Sequence, residues 1–319
     1  MFIVIELLDL KKNYNSVEAV RGVTLNVEAG ETFALLGPNG AGKTTVINIL
    51  CTLLRASSGV AKVNSFDCTV NPEGVRKSIG LVFQEVTLDN ELTAYENLKF
   101  HCYLYNMDSA LTEARITEML GVVGLLDKAK DLVKTFSGGM KRRLEIVRGL
   151  LHRPKVLFLD EPTLGLDPQT RSRVWEFIAE LKAKEGSTVF MTTHYMDEAE
   201  VCDRIAVIDN GKIIACDSPA ALKSSLKGDT VYLRTGEDAK ARIELKEKFL
   251  LEVKDTENGL AFIVEKGAEF IPVLFKELSV PVLSVSVKRP TLDDVFLHLT
   301  GKEIRDSKQV EKNNRRGRS

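Results

Sequence analysis

A chain of 319 residues with a formal net charge of −1 has room for one to three domains and lacks the global basic surface of a bulk nucleic-acid binder. Charged residues at 28 % and apolar residues at 44 % are ordinary for a globular protein. Five cysteines, Cys51, Cys68, Cys102, Cys202 and Cys216, form no C-x-x-C pair, which points to reduced thiols in a cytosolic setting rather than a disulfide frame or a zinc site. No apolar run approaches the roughly 18 residues of a membrane-spanning helix. Residues 1–8 are interrupted by Glu6 and lack a basic start, so a signal peptide is not expected, and any work at a membrane would go through a partner.

In chain order, residues 2–8 and 23–27 read as strands, with Tyr14 expected in the loop between them. Residues 32–36 are a short buried strand, followed by Gly37-Pro38-Asn39-Gly40-Ala41-Gly42-Lys43-Thr44-Thr45 and then an apolar helix start. This is the G-x-x-x-x-G-K-[ST] spacing in its strand–loop–helix setting. Glycines let the backbone wrap a polyphosphate, and the first helical amides point at it unpaired. Lys43 would reach the β- and γ-phosphates and the Thr44 hydroxyl would hold Mg²⁺. Residues 59–64 and 79–83 read as further strands, the second ending at Gln84.

The period then changes. Thr93 with Glu96 forms a capping box for a helix to about residue 105. A second helix, 109–123, should bury Leu111, Ile116, Met119, Leu120 and Val123, with Gly124 as its stop. Ser137-Gly138-Gly139 opens a third, basic helix, a second anion-binding helix end. One nucleotide does not need two such ends from one subunit, so a dimer with shared sites is expected. Residues 156–159 are four consecutive apolar residues, the pattern of a parallel strand buried on both faces, and Asp160-Glu161 follow at its carboxyl end. Asp160 fits a Mg²⁺-holding carboxylate, and Glu161 is placed to polarise the attacking water. Residues 189–193 form another strand ending in His194, a γ-phosphate contact candidate.

Beyond residue 223 a second unit has the order βαββαβ: strand 230–234, helix 238–250, strands 251–254 and 260–264 around Asn258-Gly259, helix 270–278 with Pro272 leaving its start open, and strand 282–287. That order reads as a ferredoxin-like domain. Thr291 with Asp294 caps a last amphipathic helix carrying Leu292, Val295, Phe296 and Leu299, a packing element with a dimer contact as the other possibility. A basic, disordered tail is expected over 302–319.

The ordered set resembles the nucleotide-binding subunit of an ATP-binding-cassette (ABC) transporter over about residues 2–225. Gly37 to Thr45 match the family's Walker A loop, Gln84 the Q-loop, Ser137-Gly138-Gly139 the signature, and Asp160-Glu161 the end of the Walker B strand. Gly165-Leu166-Asp167 match the D-loop, His194 the switch histidine and Tyr14 the aromatic that stacks on adenine. Phe136 and Met140 replace the commonest signature residues, a change usual among daunorubicin-resistance-type and other ABC-2 exporter ATPases, which residues 291–301 also resemble. The resemblance implies an α/β, RecA-like P-loop NTPase core at 1–226 with a helical signature subdomain at about 86–150, then a small α+β ferredoxin-like domain at 227–301. It implies ATP and Mg²⁺ as ligands, with Thr44, Gln84 and Asp160 at the metal and Glu161, His194 and Gln84 in catalysis. Two cassettes would sandwich two ATPs head to tail, with Asp167 communicating across the interface. A separate integral-membrane permease would dock on the segment after Gln84, where Glu85, Val86, Leu88 and Leu92 are expected as contacts, and hold the chain at the cytoplasmic face. The other reading, a soluble ABC ATPase on ribosomes or DNA, fits types with two cassettes or a long coiled coil; this chain has one P-loop and no sustained heptads, and no nucleic-acid partner is expected.

Overall fold

A computed structural model describes residues 2–226, 228–256 and 258–301; the tail expected from residue 302 lies outside the described residues. The chain divides into two compact units, one ending at Cys216 and one beginning at Asp217, where the sequence placed the boundary ten residues later.

The first unit is built on a six-stranded sheet in the order Lys212–Asp217, Arg204–Asp209, Thr32–Leu36, Thr188–Thr193, Val156–Asp160 and Ile79–Val82. The four pairings from Arg204–Asp209 through to Ile79–Val82 are parallel. Every residue of Val156–Asp160 and Thr188–Thr193 is buried, as expected for strands covered on both faces. Phe33 stacks on Phe190 with centroids 5.6 Å apart, and Phe158 meets the same ring at 5.5 Å. These aromatics fix the sheet whose carboxyl ends carry the loops of interest.

A second, antiparallel sheet runs Val17–Glu28, Ile3–Tyr14, Ser58–Val63, Phe66–Asp67. Here the sequence expectation needs correction. Tyr14 is not in a loop but ends a twelve-residue strand paired with Val17, and its ring is 44 % exposed with the Lys12 ammonium 5.3 Å from its centroid. The sequence shows the strand over residues 2–8, and its continuation to Tyr14 is missed because a bulge between Leu7 and Leu10, with Asp9 at φ 45°, breaks the two-residue alternation.

The helical insertion contains Ala94–Leu104, Ser109–Val122 and Gly138–Leu150. The Thr93/Glu96 capping box is present, and Gly124 adopts φ 62° where the second helix ends. Ile116, Met119, Leu120 and Val123 are buried, but Leu111 is 66 % exposed; it lies in the first turn, ahead of the stretch that packs.

In the second unit the sheet order is Lys254–Thr256, Gly259–Val264, Asp229–Thr235, Val282–Lys288, with all pairings antiparallel. Helices Asp238–Phe249 and Gly267–Glu277 complete the βαββαβ order. The second helix starts three residues before the expected 270, because the Gly267 amide donates to Asp229 Oδ2 at 2.9 Å and so anchors an earlier first turn. Val231, Leu233, Leu245, Phe262 and Leu274 form the core. The last helix, Leu292–Thr300, keeps its Thr291/Asp294 box, ends at Gly301 with φ 67°, and packs on Pro219–Ser224. Leu292, Val295 and Phe296 are buried, whereas Leu299 is not.

Candidate functional site

The phosphate loop leaves strand Thr32–Leu36 and is held at both ends by backbone. The Gly37 amide donates to the Thr193 carbonyl at 3.1 Å, and the Gly211 amide donates to the Ala41 carbonyl at 3.0 Å. Gly42 sits at φ 106°, and a Cβ there would lie 2.6 Å from the Ala19 carbonyl oxygen, so only glycine brings the chain into helix Lys43–Leu50 at this angle. Ala19 belongs to the partner strand of Tyr14, which places that hairpin beside the loop. Asn39, Gly40 and Thr44 are exposed, while Pro38 and Thr45 are half-buried. Lys43, 4 % exposed, crosses its own loop: its ammonium donates to the Gly37 carbonyl at 2.8 Å and to the Pro38 carbonyl at 3.2 Å.

Strand Val156–Asp160 brings two carboxylates to this point. Asp160 Oδ1 accepts from Thr192 Oγ1 at 2.5 Å and lies 3.5 Å from Thr44 Oγ1. Glu161 adopts φ 46°, an uncommon conformation for a side-chain-bearing residue, and its amide is caught by the Thr192 hydroxyl and the Thr192 carbonyl, each at 3.1 Å. That turn carries the Glu161 carboxylate off the strand line and between two partners. Oε1 is 3.2 Å from Lys43 Nζ and Oε2 is 3.2 Å from His194 Nδ1.

Burial is the largest influence on each charged group here, and the partners decide where it ends. It holds the Lys43 ammonium below its usual range although Glu161 pulls the other way. It raises Asp160, against the hydrogen bond from Thr192. For Glu161 burial pushes up, but the His194 hydrogen bond and the Lys43 charge outweigh it and leave the carboxyl below the ordinary value. Glu161 is therefore ionised at neutral pH, able to accept a proton or a hydrogen bond from water.

The donor set fits a polyphosphate with a hard divalent cation. An exposed glycine loop at a helix N-terminus, a single ammonium and one hydroxyl–carboxylate pair suit Mg²⁺, which takes one or two protein oxygens and completes its shell with phosphates and water. Among the described residues no group of three His, Cys, Asp or Glu side chains forms an all-protein cage.

Of the residues singled out in the sequence, Gly37 to Thr45, Asp160, Glu161 and His194 thus meet at one place. Ser137, Gly138 and Gly139 gather elsewhere on the unit. Ser137 caps its helix by accepting from the Met140 amide at 3.3 Å. A Cβ on Gly139 would sit 2.5 Å from Thr170 Cγ2, and one on Gly138 3.6 Å from Leu166 Cδ2. Asp167, exposed, accepts from the Thr170 amide at 3.0 Å and the Thr170 hydroxyl at 2.6 Å, capping helix Pro168–Glu185. Gly139 and Asp167 therefore share one neighbour, Thr170. Gln84 is exposed. Of the segment that follows it, Glu85 and Val86 are exposed and Leu92 half-buried, but Leu88 is 6 % exposed, which removes it as a docking contact.

Three sets of residues escaped the sequence reading. Thr192 ties Asp160 to Glu161, and its signal was a polar pair, Thr192-Thr193, ending an apolar strand. Glu198, 2 % exposed, accepts from Thr163 Oγ1 and from Thr193 Oγ1, the latter at 2.5 Å, so one buried carboxyl, its pKa raised by that burial, joins the turn after Glu161 to the strand end before His194. The third set is the partners of the basic helix Gly138–Leu150, which the sequence displayed only as a run of cations. Its cations are not open to an anion: Lys141 donates to Asn90 Oδ1 at 2.8 Å, Arg143 to the Val123 carbonyl at 2.6 Å, and Arg142 and Arg148 to the segment around Gln84.

Comparison with known proteins agrees in both units. Residues 20–164 match the family profile described as "ABC transporter", and residues 218–300 match that of the "ATP-binding protein DrrA1-3-like, C-terminal domain". The chain is 38 % identical to the linearmycin resistance ATP-binding protein LnrL of Bacillus subtilis, over 93 % of this chain and 98 % of that one. It is 41 % identical to the daunorubicin/doxorubicin resistance ATP-binding protein DrrA of Streptomyces peucetius, over 93 % and 92 %. Among solved structures, the cassette MJ0796, a dimer in a post-hydrolysis state bound to ADP and Pi, superposes with a TM-score of 0.61 at 27 % identity, covering 67 % of this chain and 98 % of that one.

Proposed function

Because this chain belongs to the ABC transporter ATP-binding family and is an ATP-hydrolysing subunit of the exporter type, we propose that it drives export through a separate membrane permease by closing over ATP as a head-to-tail dimer. The observation that carries the chemistry is the placement of Glu161 between Lys43 and His194. In this reading Lys43 turns from its loop carbonyls to the β- and γ-phosphates. Glu161 orients the attacking water through Oε1 or Oε2, and His194 holds the γ-phosphate and that carboxylate in register. Thr44, Asp160 and Gln84 would hold Mg²⁺, whose charge offsets that developing on the phosphates. Tyr14 would stack on the adenine. Ser137, Gly138 and Gly139 would complete the γ-phosphate site of a second copy, with Asp167 at the same interface. The cargo class follows the relatives, whose names give resistance to linearmycin or to daunorubicin and doxorubicin.

Glu161→Gln should keep ATP affinity and lower kcat by roughly 10²–10⁴-fold, because it removes the water-orienting charge and leaves the phosphate contacts. The same variant with Mg-ATP should dimerise in light scattering. Wild-type turnover in this variant would overturn the role of Glu161, and an ATP-bound monomer with full activity would overturn the shared site.

Docking on the permease is assigned to the insertion, at the apolar side chains Phe100, Tyr103, Leu104 and Leu111, each more than half exposed. Leu111 also lines a cavity of about 700 Å³ together with Tyr105, Met107 and His152, and exposed apolar side chains beside a concave surface are the kind of site that takes an amphipathic helix. Phe100→Asp with Leu104→Asp, co-expressed with the permease, should hydrolyse ATP yet fail to co-purify with the membrane subunit; undiminished co-purification would exclude this face.

A further inference from the structure

We propose that Arg142 and Glu145 are positioning residues that clamp the Gln84 segment to the signature helix, so that a displacement of Gln84 at the nucleotide moves Ser137, Gly138 and Gly139 with it. The inference rests on the roles given above to Gln84 and to the signature end, and adds the link between them.

The clamp is made of side chains from one helix and backbone from another segment. Arg142, 4 % exposed, donates from Nη1 to the Phe83 carbonyl at 2.6 Å and from Nη2 to the Gln84 carbonyl at 2.8 Å. The same Nη1 meets Glu145 Oε2 at 3.1 Å. Glu145 is fully buried, and its Oε1 accepts from the Thr87 amide at 2.6 Å and from the Thr87 hydroxyl at 3.1 Å. Arg148 closes the ring, donating to the Thr87 carbonyl at 3.1 Å and to its hydroxyl at 2.5 Å. The backbone on both sides of Gln84 is thus held by a helix 58 residues further along the chain.

Charge-assisted hydrogen bonds of this kind are shorter and stronger than neutral ones. A guanidinium fork bridging two consecutive carbonyls fixes direction as well as distance. Gln84 and Thr87 are exposed residues in a loop, yet their backbone is tied as firmly as a strand's. A loop so held cannot relax locally when its one ligand-facing side chain moves. It passes the movement to helix Gly138–Leu150, whose first residues are the signature. Salt-bridging the helix to solvent-exposed side chains would not do this; bonding to the backbone does.

The test compares Arg142→Lys with Gln84→Ala in the full chain. Lysine keeps the charge beside Glu145 and loses the fork, so it cannot bridge both carbonyls. Arg142→Lys should leave ATP affinity within about threefold, lower kcat about tenfold or more, raise the Mg²⁺ concentration for half-maximal rate several-fold, and weaken ATP-driven dimerisation in the Glu161→Gln background. A purely structural role would lower the thermal midpoint and leave the Mg²⁺ dependence alone. Arg142→Lys with wild-type kcat and Mg²⁺ dependence, alongside an impaired Gln84→Ala, overturns the clamp and leaves the assigned role of Gln84 standing. A wild-type Gln84→Ala removes both. Hydrogen exchange of the Thr87 amide in the unmodified protein covers a variant that does not fold: protection comparable to the inner strands supports the clamp, and exchange at the rate of an open loop overturns it.

Discussion

Lys43 and Arg142 are both cations 4 % exposed, and what surrounds them makes opposite devices of the two. Lys43 is a point charge resting on two carbonyls of its own loop and on Glu161, which divides its oxygens between that ammonium and His194. Each contact is one that a phosphate can replace. Arg142 is a planar fork whose partners are carbonyls of a distant segment and a carboxylate with no exposure at all. Nothing reaches that pair from solvent. The first arrangement is built to be exchanged and the second to hold, and burial alone does not tell them apart; whether the backbone partners lie in the cation's own loop or in a distant segment does.

The largest expected effect that tests this contrast is on stability. Arg142→Met removes the cation 3.1 Å from the fully buried Glu145 carboxylate and leaves two carbonyls without their donor, so urea unfolding followed through the single tryptophan, Trp175 of the first unit, should show a loss of about 3–5 kcal/mol. Lys43→Met should abolish tight ATP binding and stay within about 1 kcal/mol of wild type, because the ammonium is held below its usual pKa by burial and its charged form therefore opposes folding at neutral pH. The sign gives a second reading. A lowered lysine costs stability below its folded pKa, and the cost fades as pH rises toward the unfolded value, so wild type should gain on Lys43→Met between neutral pH and about pH 10. Equal losses in the two variants would end the distinction.

The sequence displayed one of these devices and hid the other for a physical reason. Lys43, Thr44, Asp160 and Glu161 sit where local rules place them, at a glycine loop before a helix and at the end of an apolar strand, so spacing sufficed. The capping boxes at Thr93/Glu96 and Thr291/Asp294 are likewise closed within three residues. Arg142 read only as one of several cations on a basic helix, because its partners are 58 and 59 residues away in sequence and are backbone atoms, which no residue type announces. Leu88 and Leu111 went wrong in opposite directions for a related reason. An apolar residue shows that it will pack or be used, and only the neighbouring helices decide which. Tyr14 was misplaced by a bulge, whose extra residue shifts the side-chain alternation on which strand recognition rests.

The smallest expected effects sharpen the contrast at two threonines. Thr192 is fully buried; its hydroxyl donates to Asp160 and accepts from the Glu161 amide, and so links the two carboxylate-bearing residues. Thr87 is exposed, and Glu145 Oε1 retains the Thr87 amide at 2.6 Å whether or not the hydroxyl is there. Valine is close in shape at both positions, so the substitutions remove hydrogen bonds and leave packing nearly intact. Thr192→Val leaves a buried carboxylate short of a donor, a cost of about 1–3 kcal/mol, and the loosened Asp160 and Glu161 should lower kcat roughly tenfold or more. Thr87→Val should cost only about 0.5–1 kcal/mol and lower kcat two- to threefold, since the main-chain bond carries the clamp. Steady-state ATPase assays and urea melts on the two variants decide it. A Thr87→Val loss as large as that of Thr192→Val would mean that the clamp depends on an exchangeable side chain after all, and the difference drawn between the two clusters would collapse.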